Sequence, residues 1–291
     1  MDDVFELQDR FTESVVAAIE PEVQLAEIER LKHKPTTNLD AYDLMLRAQQ
    51  LEHECTDESL AEALRNIKQA LVIDHSYALA MALAAYCYAE RKINGWMRVP
   101  QAEERDGLNF AMRAIELGKD DGNVFWMAAY AVFRLAWDAH RARELALRSV
   151  QLNPNSANAS AELGRIEAFL GNFDEALEWL LRAQRLGPRD PRGWFVKTEL
   201  AFAYYLAGRY EEAASVAEQV LNQKPRFGMA FRVIGASLVK RGRQREAEEV
   251  MRKVLELEPK LTLTNLRSRV MMNDGDWREY SAALRLAGLP E

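Results

Sequence analysis

Apolar residues recur along most of this chain at spacings of three and four, which is the pattern of amphipathic α-helices. Successive helical runs are separated by short polar turns, and several of them end near a proline. Prolines 154, 188, 225 and 259 follow one another at intervals of 34, 37 and 34 residues. A period near 34 is typical of stacked helical hairpins, so the chain is predicted to be all-α.

Three copies of the repeat align on their closing proline, at residues 157–188, 194–225 and 228–259. Each copy has a small residue in its first helix, a glycine where that helix ends, and an alanine five residues later. These positions are Gly164, Ala201 and Gly235, then Gly171, Gly208 and Gly242, then Ala176, Ala213 and Ala247. Small residues let antiparallel helices approach closely, glycine closes the first helix at low steric cost, and proline stops the second.

Weaker copies extend the array toward the N-terminus, and one of them has Trp137 where glycine usually stands. Residues 1–37 fall outside the repeat and are predicted to be helical, ending in a linker. Residues 260–291 are predicted to form a degenerate cap over the last apolar face, as repeat arrays require. The six predicted hairpins are 38–75, 76–119, 120–154, 155–188, 189–225 and 226–259.

The turn of the second hairpin, KINGWMRVPQ at residues 92–101, is longer than the other turns. A polar turn that carries a tryptophan is often a functional loop. In the repeat frame, Trp96 is instead interpreted as an anchor that folds the long turn onto the array. Glu103 and Glu104, which follow it, are interpreted as solvated or helix-start charges.

The composition, with 48% hydrophobic and 29% charged residues, is that of an ordinary globular protein. The net charge of −7 argues against nucleic acid as the main partner. No apolar run approaches the roughly 18 residues that span a bilayer, and the acidic start MDDVFELQDR does not resemble a secretory signal. With two isolated cysteines, Cys55 and Cys87, the sequence predicts a cytoplasmic protein without a membrane partner.

Motifs for catalysis are missing from the sequence. It has no Gly-x-Gly-x-x-Gly, no phosphate-binding loop and no His-Glu-x-x-His. His53 and Cys55 are two residues apart on a predicted helix and point in different directions, which does not suit one metal. The DGD run at 274–276 has too few oxygen ligands for calcium and is interpreted as a turn in the cap. We therefore predict no catalytic, cofactor or metal site and no enzyme activity.

The Leu-Gly, Gly-x-aromatic, Glu-Ala and Leu-x-Pro residues of the aligned copies resemble the tetratricopeptide repeat. This resemblance implies an α-solenoid, a right-handed superhelix of antiparallel helix pairs. Several segments are also similar to the C-terminal repeat region of bacterial class III adenylate/guanylate cyclases, in which a TolB-like segment precedes the repeats. These segments are VFELQD, NLDAYDLMLRA, LNPNSANA, RLGPRDP, AGRYEEAA and LRLAGLPE. The likeness implies that residues 1–37 end a TolB-like region. A class III cyclase domain is a larger α/β unit, and since no strand-rich stretch occurs in this sequence, no catalytic domain is predicted in it.

In tetratricopeptide arrays the first helix of each pair lines a groove, and counting from the repeat carries those positions over to this sequence. They are Tyr86, Arg134, Arg165, Phe169, Phe202, Tyr205, Arg232 and Lys240, with Glu90 the one acidic residue among them. Basic and aromatic side chains favour an acidic or aromatic peptide. The same spacing also suits aromatic residues that pack against the neighbouring hairpin, and both readings stay open.

The function predicted from these features is a non-catalytic protein-interaction module in bacterial signal transduction. Its expected partners are a protein or peptide segment, or a second copy in a homodimer. One alternative is a portion of a cyclase that dimerises or gates an upstream catalytic domain. Another is a sensor for a peptide or small ligand, closed by the capping helices.

Overall fold

The structure is a computed structural model that describes residues 41–187 and 193–291. The predicted N-terminal segment and linker, residues 1–37, lie outside the described residues, as does Pro188 of the repeat. The described residues form helices and turns and contain no β-strand. The prediction of an all-α fold is confirmed.

The α-helices of the described residues follow one another with short connections. In chain order they are α1 (Ala41–Glu54), α2 (Asp57–Ile73), α3 (Ala78–Ile93), α4 (Pro100–Leu117), α5 (Gly122–Ala131), α6 (Ala139–Leu152), α7 (Ala157–Leu170), α8 (Phe173–Leu186), α9 (Gly193–Leu206), α10 (Tyr210–Gln223), α11 (Gly228–Lys240), α12 (Gln244–Leu257), α13 (Leu263–Arg267) and α14 (Asp274–Leu286). A short π-helical segment, Val132–Ala136, follows α5.

Helices that are neighbours in sequence pack as pairs, including α1 with α2, α3 with α4, α9 with α10 and α11 with α12. The first helix of a pair also contacts the first helix of the next, as α3 does with α5 and α9 with α11. The chain divides into two compact units, one ending at Glu162 and the other beginning at Leu163, within α7. The second unit ends with α13 and α14, and α14 packs against α11.

Small residues set the spacing within the α7–α8 pair. A Cβ atom built on Gly164 would lie 2.7 Å from Cγ of Leu180 and 3.0 Å from the carbonyl oxygen of Ala176. Leu180 and Ala176 are fully buried, so neither has space to move away. Glycine in the middle of a helix costs about 1 kcal/mol relative to alanine. At Gly164 the absence of a side chain offsets this cost, because it lets α7 and α8 approach closely.

The turn between paired helices uses a left-handed backbone. Gly171, Gly208 and Gly242 have φ of 86°, 74° and 74°. In the α5–α6 pair the corresponding residue is Trp137, with φ of 59° and 40% of its surface exposed. A side chain in this conformation costs roughly 1–2 kcal/mol. The π-helical segment comes directly before Trp137, and its Leu135 carbonyl accepts a hydrogen bond from Nζ of Lys92 (3.1 Å).

Candidate protein-binding surface

The predicted groove residues of the first unit are partly engaged in packing between helices. Tyr86 of α3 is 6% exposed, and its ring contacts those of Trp126 and Tyr130 of α5 at centroid distances of 5.5 and 4.6 Å. Arg134 is half-buried, with its guanidinium 5.1 Å from the centre of the Tyr130 ring and 5.2 Å from that of Phe133. Tyr86 thus joins two successive hairpins.

The one acidic position, Glu90, lies in the same cluster and is 8% exposed. The Tyr130 hydroxyl donates a hydrogen bond to its Oε1, and the Cys55 thiol donates to its Oε2 at 3.6 Å. Cys87 is fully buried nearby, and burial, helped by the charges of Glu52 and Glu90, raises the pKa of its thiol. Because a thiolate is the reactive form of cysteine, this environment disfavours reaction at Cys87.

In the second unit, Arg165 of α7 is 7% exposed and faces α9. Its Nε lies 3.1 Å from Oε1 of Glu199, and its guanidinium stands 4.8 Å from the centre of the Phe195 ring. Phe169, one helical turn further along α7, is half-buried. Arg165 therefore joins α7 to α9 by a charge pair and a cation–π contact.

The four remaining residues converge on the C-terminal helix α14. Phe202 and Tyr205 of α9 are 8% and 4% exposed, and their rings lie 5.6 and 5.2 Å from that of Tyr280. Arg232 of α11 contacts Tyr280 and places Nη1 2.9 Å from Oε1 of Glu258. Lys240 places Nζ 2.9 Å from Oε2 of Glu279 on α14.

Three of the four predicted basic residues are therefore paired with glutamates, which are Glu199, Glu258 and Glu279. The predicted surface presents paired charges beside aromatic rings rather than unbalanced positive charge. The sequence does not reveal these glutamates, because Glu258 and Glu279 are 26 and 39 residues from their partners. Such a separation exceeds the three or four residues over which a helix places side chains together.

The long turn of the second hairpin is held by Arg91, which is 4% exposed. Its guanidinium donates to Oδ1 of Asp57 (2.7 Å), to Oε2 of Glu103 (3.0 Å) and to the Trp96 carbonyl (2.6 Å). The Trp96 amide in turn donates to the Arg91 carbonyl at 2.8 Å. Both of these Trp96 hydrogen bonds are made by its backbone, so the turn is anchored there. The indole is half-buried and takes no part in them.

Glu103 lies in the first turn of α4, as a helix-start charge would, and its side chain is 17% exposed. Its Oε1 accepts the backbone amides of Arg98 (2.7 Å) and Val99 (3.1 Å). Burial opposes its ionisation, yet the bonds from Val99, Arg91 and Arg98 together lower the pKa of the Glu103 carboxyl. Glu103 and Arg91 thus bond to each other and to the backbone of this turn, which fixes its conformation.

The remaining candidates from the sequence are metal-ligand side chains and the DGD run at 274–276. Among residues 41–187 and 193–291, no group of three or more His, Cys, Asp and Glu side chains is placed to hold a metal ion. Residues 274–276 form the first turn of α14, where Oδ1 of Asn273 accepts the Asp276 amide at 2.9 Å. No helix in the described part of the chain is long and apolar enough to cross a membrane.

No protein-family model matches the sequence. Among curated proteins, the chain is 29% identical over 137 residues to "Putative adenylate cyclase 3" of Rhizobium meliloti (strain 1021). The match covers 47% of this chain and 23% of that protein. The chain thus spans under a quarter of the length of this relative.

Among solved structures, the fold is similar to a chain in the crystal structure of the APC/C hetero-tetramer Cut9–Hcn1, with a TM-score of 0.65 and 15% sequence identity. That match covers 86% of this chain and 43% of the other. MamA of AMB-1 matches 60% of this chain and 99% of its own, at 22% identity and a TM-score of 0.46, which is too low to support an argument. The fold is a tetratricopeptide-type α-solenoid, and the chain resembles cyclase-associated repeat regions.

Proposed function

We propose that this protein is a non-catalytic, cytoplasmic interaction module that binds a segment of another protein along the first helices of its helix pairs. The observation that carries the proposal is the set of aromatic rings and paired charges on α7, α9 and α11 of the second unit. Arg165 with Phe195, and Phe202 with Tyr205, are of the aromatic and charged types that are enriched at protein interfaces. The chain of similar fold in the Cut9–Hcn1 structure is part of a hetero-tetramer.

The charge pairs decide how the proposal is tested. Reversing Arg165 alone would leave Glu199 facing a second carboxylate in a buried position, and breaking a buried pair costs roughly 3–5 kcal/mol. Loss of binding would then not be separable from loss of the fold. Exchanging the two residues, Arg165→Glu with Glu199→Arg, keeps the pair and reverses its direction on the surface.

The test is affinity capture from the source cells with the wild type and this exchanged pair, compared by quantitative mass spectrometry. A matched control is the exchange Arg209→Glu with Glu212→Arg. Arg209 also pairs with a glutamate (2.8 Å) and lies over the Tyr204 ring, but it is the N-cap of α10, the second helix of its pair. The surface exchange should lower recovery of a specific partner about tenfold, which corresponds to about 1.4 kcal/mol. Equal recovery with both folded exchanges would refute the surface assignment.

A second candidate function is supported by the 29% identity to the Rhizobium protein, which covers 23% of that longer chain. We propose on this ground that the chain is the regulatory or self-associating region of a cyclase-type signalling protein. Reading the gene upstream of Met1 tests for an accompanying catalytic domain. Light scattering over a concentration series tests self-association, and a monomer at all concentrations would contradict a dimeric role.

A further inference from the structure

Four of the eight predicted groove residues are covered by the chain's own C-terminal helix. Phe202 and Tyr205 lie on α9, Arg232 and Lys240 lie on α11, and all four contact side chains of α14. The contacting residues of α14 are Glu279 and Tyr280, which are adjacent in the sequence. The surface that we propose to bind a partner is therefore occupied within the same chain at this end.

The chemistry of the occupant is an acidic residue followed by an aromatic one. Tyr280 is 1% exposed and meets Phe202 edge-on, at an interplanar angle of 86°. Burial raises the pKa of Tyr280 to about 12, while the charge of Arg232 and its hydrogen bond act in the opposite direction. Glu279 pairs with Lys240 and keeps 72% of its side chain exposed. This is the acidic and aromatic character that the surface residues favour in a partner.

The contact with α14 leaves polar atoms of the surface unsatisfied. Among the described residues, the Tyr205 hydroxyl and Nε of Arg232 are buried and have no hydrogen-bond partner. Tyr205 is 4% exposed, and burial, aided by the nearby Tyr280, Tyr210 and Glu279, raises the pKa of its hydroxyl. A buried polar group without a partner is unfavourable, so α14 is an incomplete complement to this surface. A partner that offers hydrogen-bonding groups to these two atoms would supply bonds that α14 does not.

The helix pairs beneath α14 have contacts of their own. α9 packs against α10 and α11, and α11 packs against α12. Residues 268–273 connect α14 to α13 and form turns and irregular backbone rather than helix. A replacement helix would therefore need to bury the apolar surface that Tyr280 and Leu284 of α14 now cover, while α9, α10, α11 and α12 keep their contacts with one another.

We propose that α14 is an internal ligand of the α9–α11 surface, and that the partner is an amphipathic helix of another protein presenting a carboxylate followed by an aromatic ring. This inference rests on the proposed function and specifies its partner. The partner helix replaces α14, places its ring against Phe202 and Tyr205, and pairs its carboxylate with Lys240. Binding is restrained until α14 is displaced, because a site that is open only part of the time has a proportionally weaker apparent affinity.

The experiment uses the full chain and a fluorescein-labelled synthetic peptide of residues 271–290, with binding measured by anisotropy. Tyr280→Ala in the chain removes the ring that fills the site, so the peptide should bind this variant at least about tenfold more tightly than the wild type. Tyr204→Ala is the matched control, since it also removes a buried tyrosine, but one on α9 whose ring lies under the Arg209 guanidinium. It should leave peptide binding unchanged.

Glu279→Lys in the chain is the second variant, because this exposed residue can be reversed without opening the core. It places a positive charge beside Lys240, which should loosen α14 and strengthen peptide binding about threefold or more at low salt. A peptide carrying both Glu279→Lys and Tyr280→Ala should bind neither variant. If circular dichroism shows that Tyr280→Ala does not fold, peptide binding to the Glu279→Lys chain tests the proposal.

Two results would overturn the proposal. One is equal binding of the peptide to the wild type and to the folded variants, which would mean that α14 does not cover the site. The other is equal binding of the native and the doubly substituted peptide, which would remove the acidic–aromatic requirement. Neither result decides the proposed function itself. The Arg165–Glu199 exchange tests that separately, because this pair joins α7 to α9 whereas Lys240 pairs with Glu279 of α14.

Discussion

Gly164 and Gly235 hold the same position in two copies of the repeat, but the structure predicts opposite effects when each becomes alanine. A Cβ at Gly164 would stand 2.7 Å from Cγ of Leu180 and 3.1 Å from its amide nitrogen. A Cβ at Gly235 would meet Met251 Cε at 3.5 Å and the Ala247 carbonyl at 3.8 Å, which is ordinary van der Waals contact.

The magnitudes follow from two terms. Alanine is favoured over glycine inside a helix by about 1 kcal/mol, and this gain applies to both sites. Overpacking a filled core costs typically 1–3 kcal/mol, and it applies only at Gly164, where part of the obstacle is backbone. Gly235→Ala should therefore raise the free energy of unfolding by about 0.5–1 kcal/mol. Gly164→Ala should lower it by up to about 2 kcal/mol, the overpacking cost less the helix gain.

Urea denaturation followed by circular dichroism at 222 nm measures both changes, with tryptophan fluorescence as a second probe of cooperativity. The two glycines belong to the same compact unit, which makes their comparison direct. A Gly164→Ala protein as stable as the wild type would show that α7 and α8 are further apart than described. A destabilised Gly235→Ala protein would refute the assumption that the methyl group fits.

Two further predictions concern the first unit. At Trp137, the left-handed φ of 59° should make Trp137→Gly more stable than Trp137→Ala by about 1 kcal/mol, the reverse of the usual order, in thermal or urea melts; a more stable alanine variant would contradict the left-handed turn. Glu103→Gln should destabilise the protein by about 1–3 kcal/mol at pH 7, because it weakens the charged bonds to Arg91 and the turn. Since the folded-state pKa of Glu103 is lowered, its stabilising contribution is present above the usual glutamate pKa of about 4.3 and is lost as the pH falls below that value. Urea melts of the wild type and Glu103→Gln should show a smaller difference in unfolding free energy at pH 3 than at pH 7. A difference independent of pH would exclude the ionised Glu103 carboxylate as its source.

Periodicity and small residues were enough to predict the fold class from the sequence. Apolar residues at helical spacing produce helices wherever they occur, and Gly164 with Ala176 marks a close contact because a larger residue would not fit. The position of the left-handed turn was likewise visible at Gly208 and Gly242. These signals are local, so a single sequence displays them.

The candidate surface was visible in the sequence only as positions. Counting along the repeat selected Phe202 and Tyr205, but their burial against Tyr280 depends on a helix that follows them by about seventy residues. The glutamates that pair with the basic residues were likewise unpredictable, because side-chain pairing across hairpins is decided by the packing of whole helices.

The sequence by itself determined that this protein is a stack of helical pairs, because that information is written in local spacing and in residue size. Only the tertiary structure decided which charges are paired, that Arg91 holds the long turn, and that α14 fills one end of the predicted surface. Each of these depends on groups brought together from distant parts of the chain, where geometry and burial select the partners.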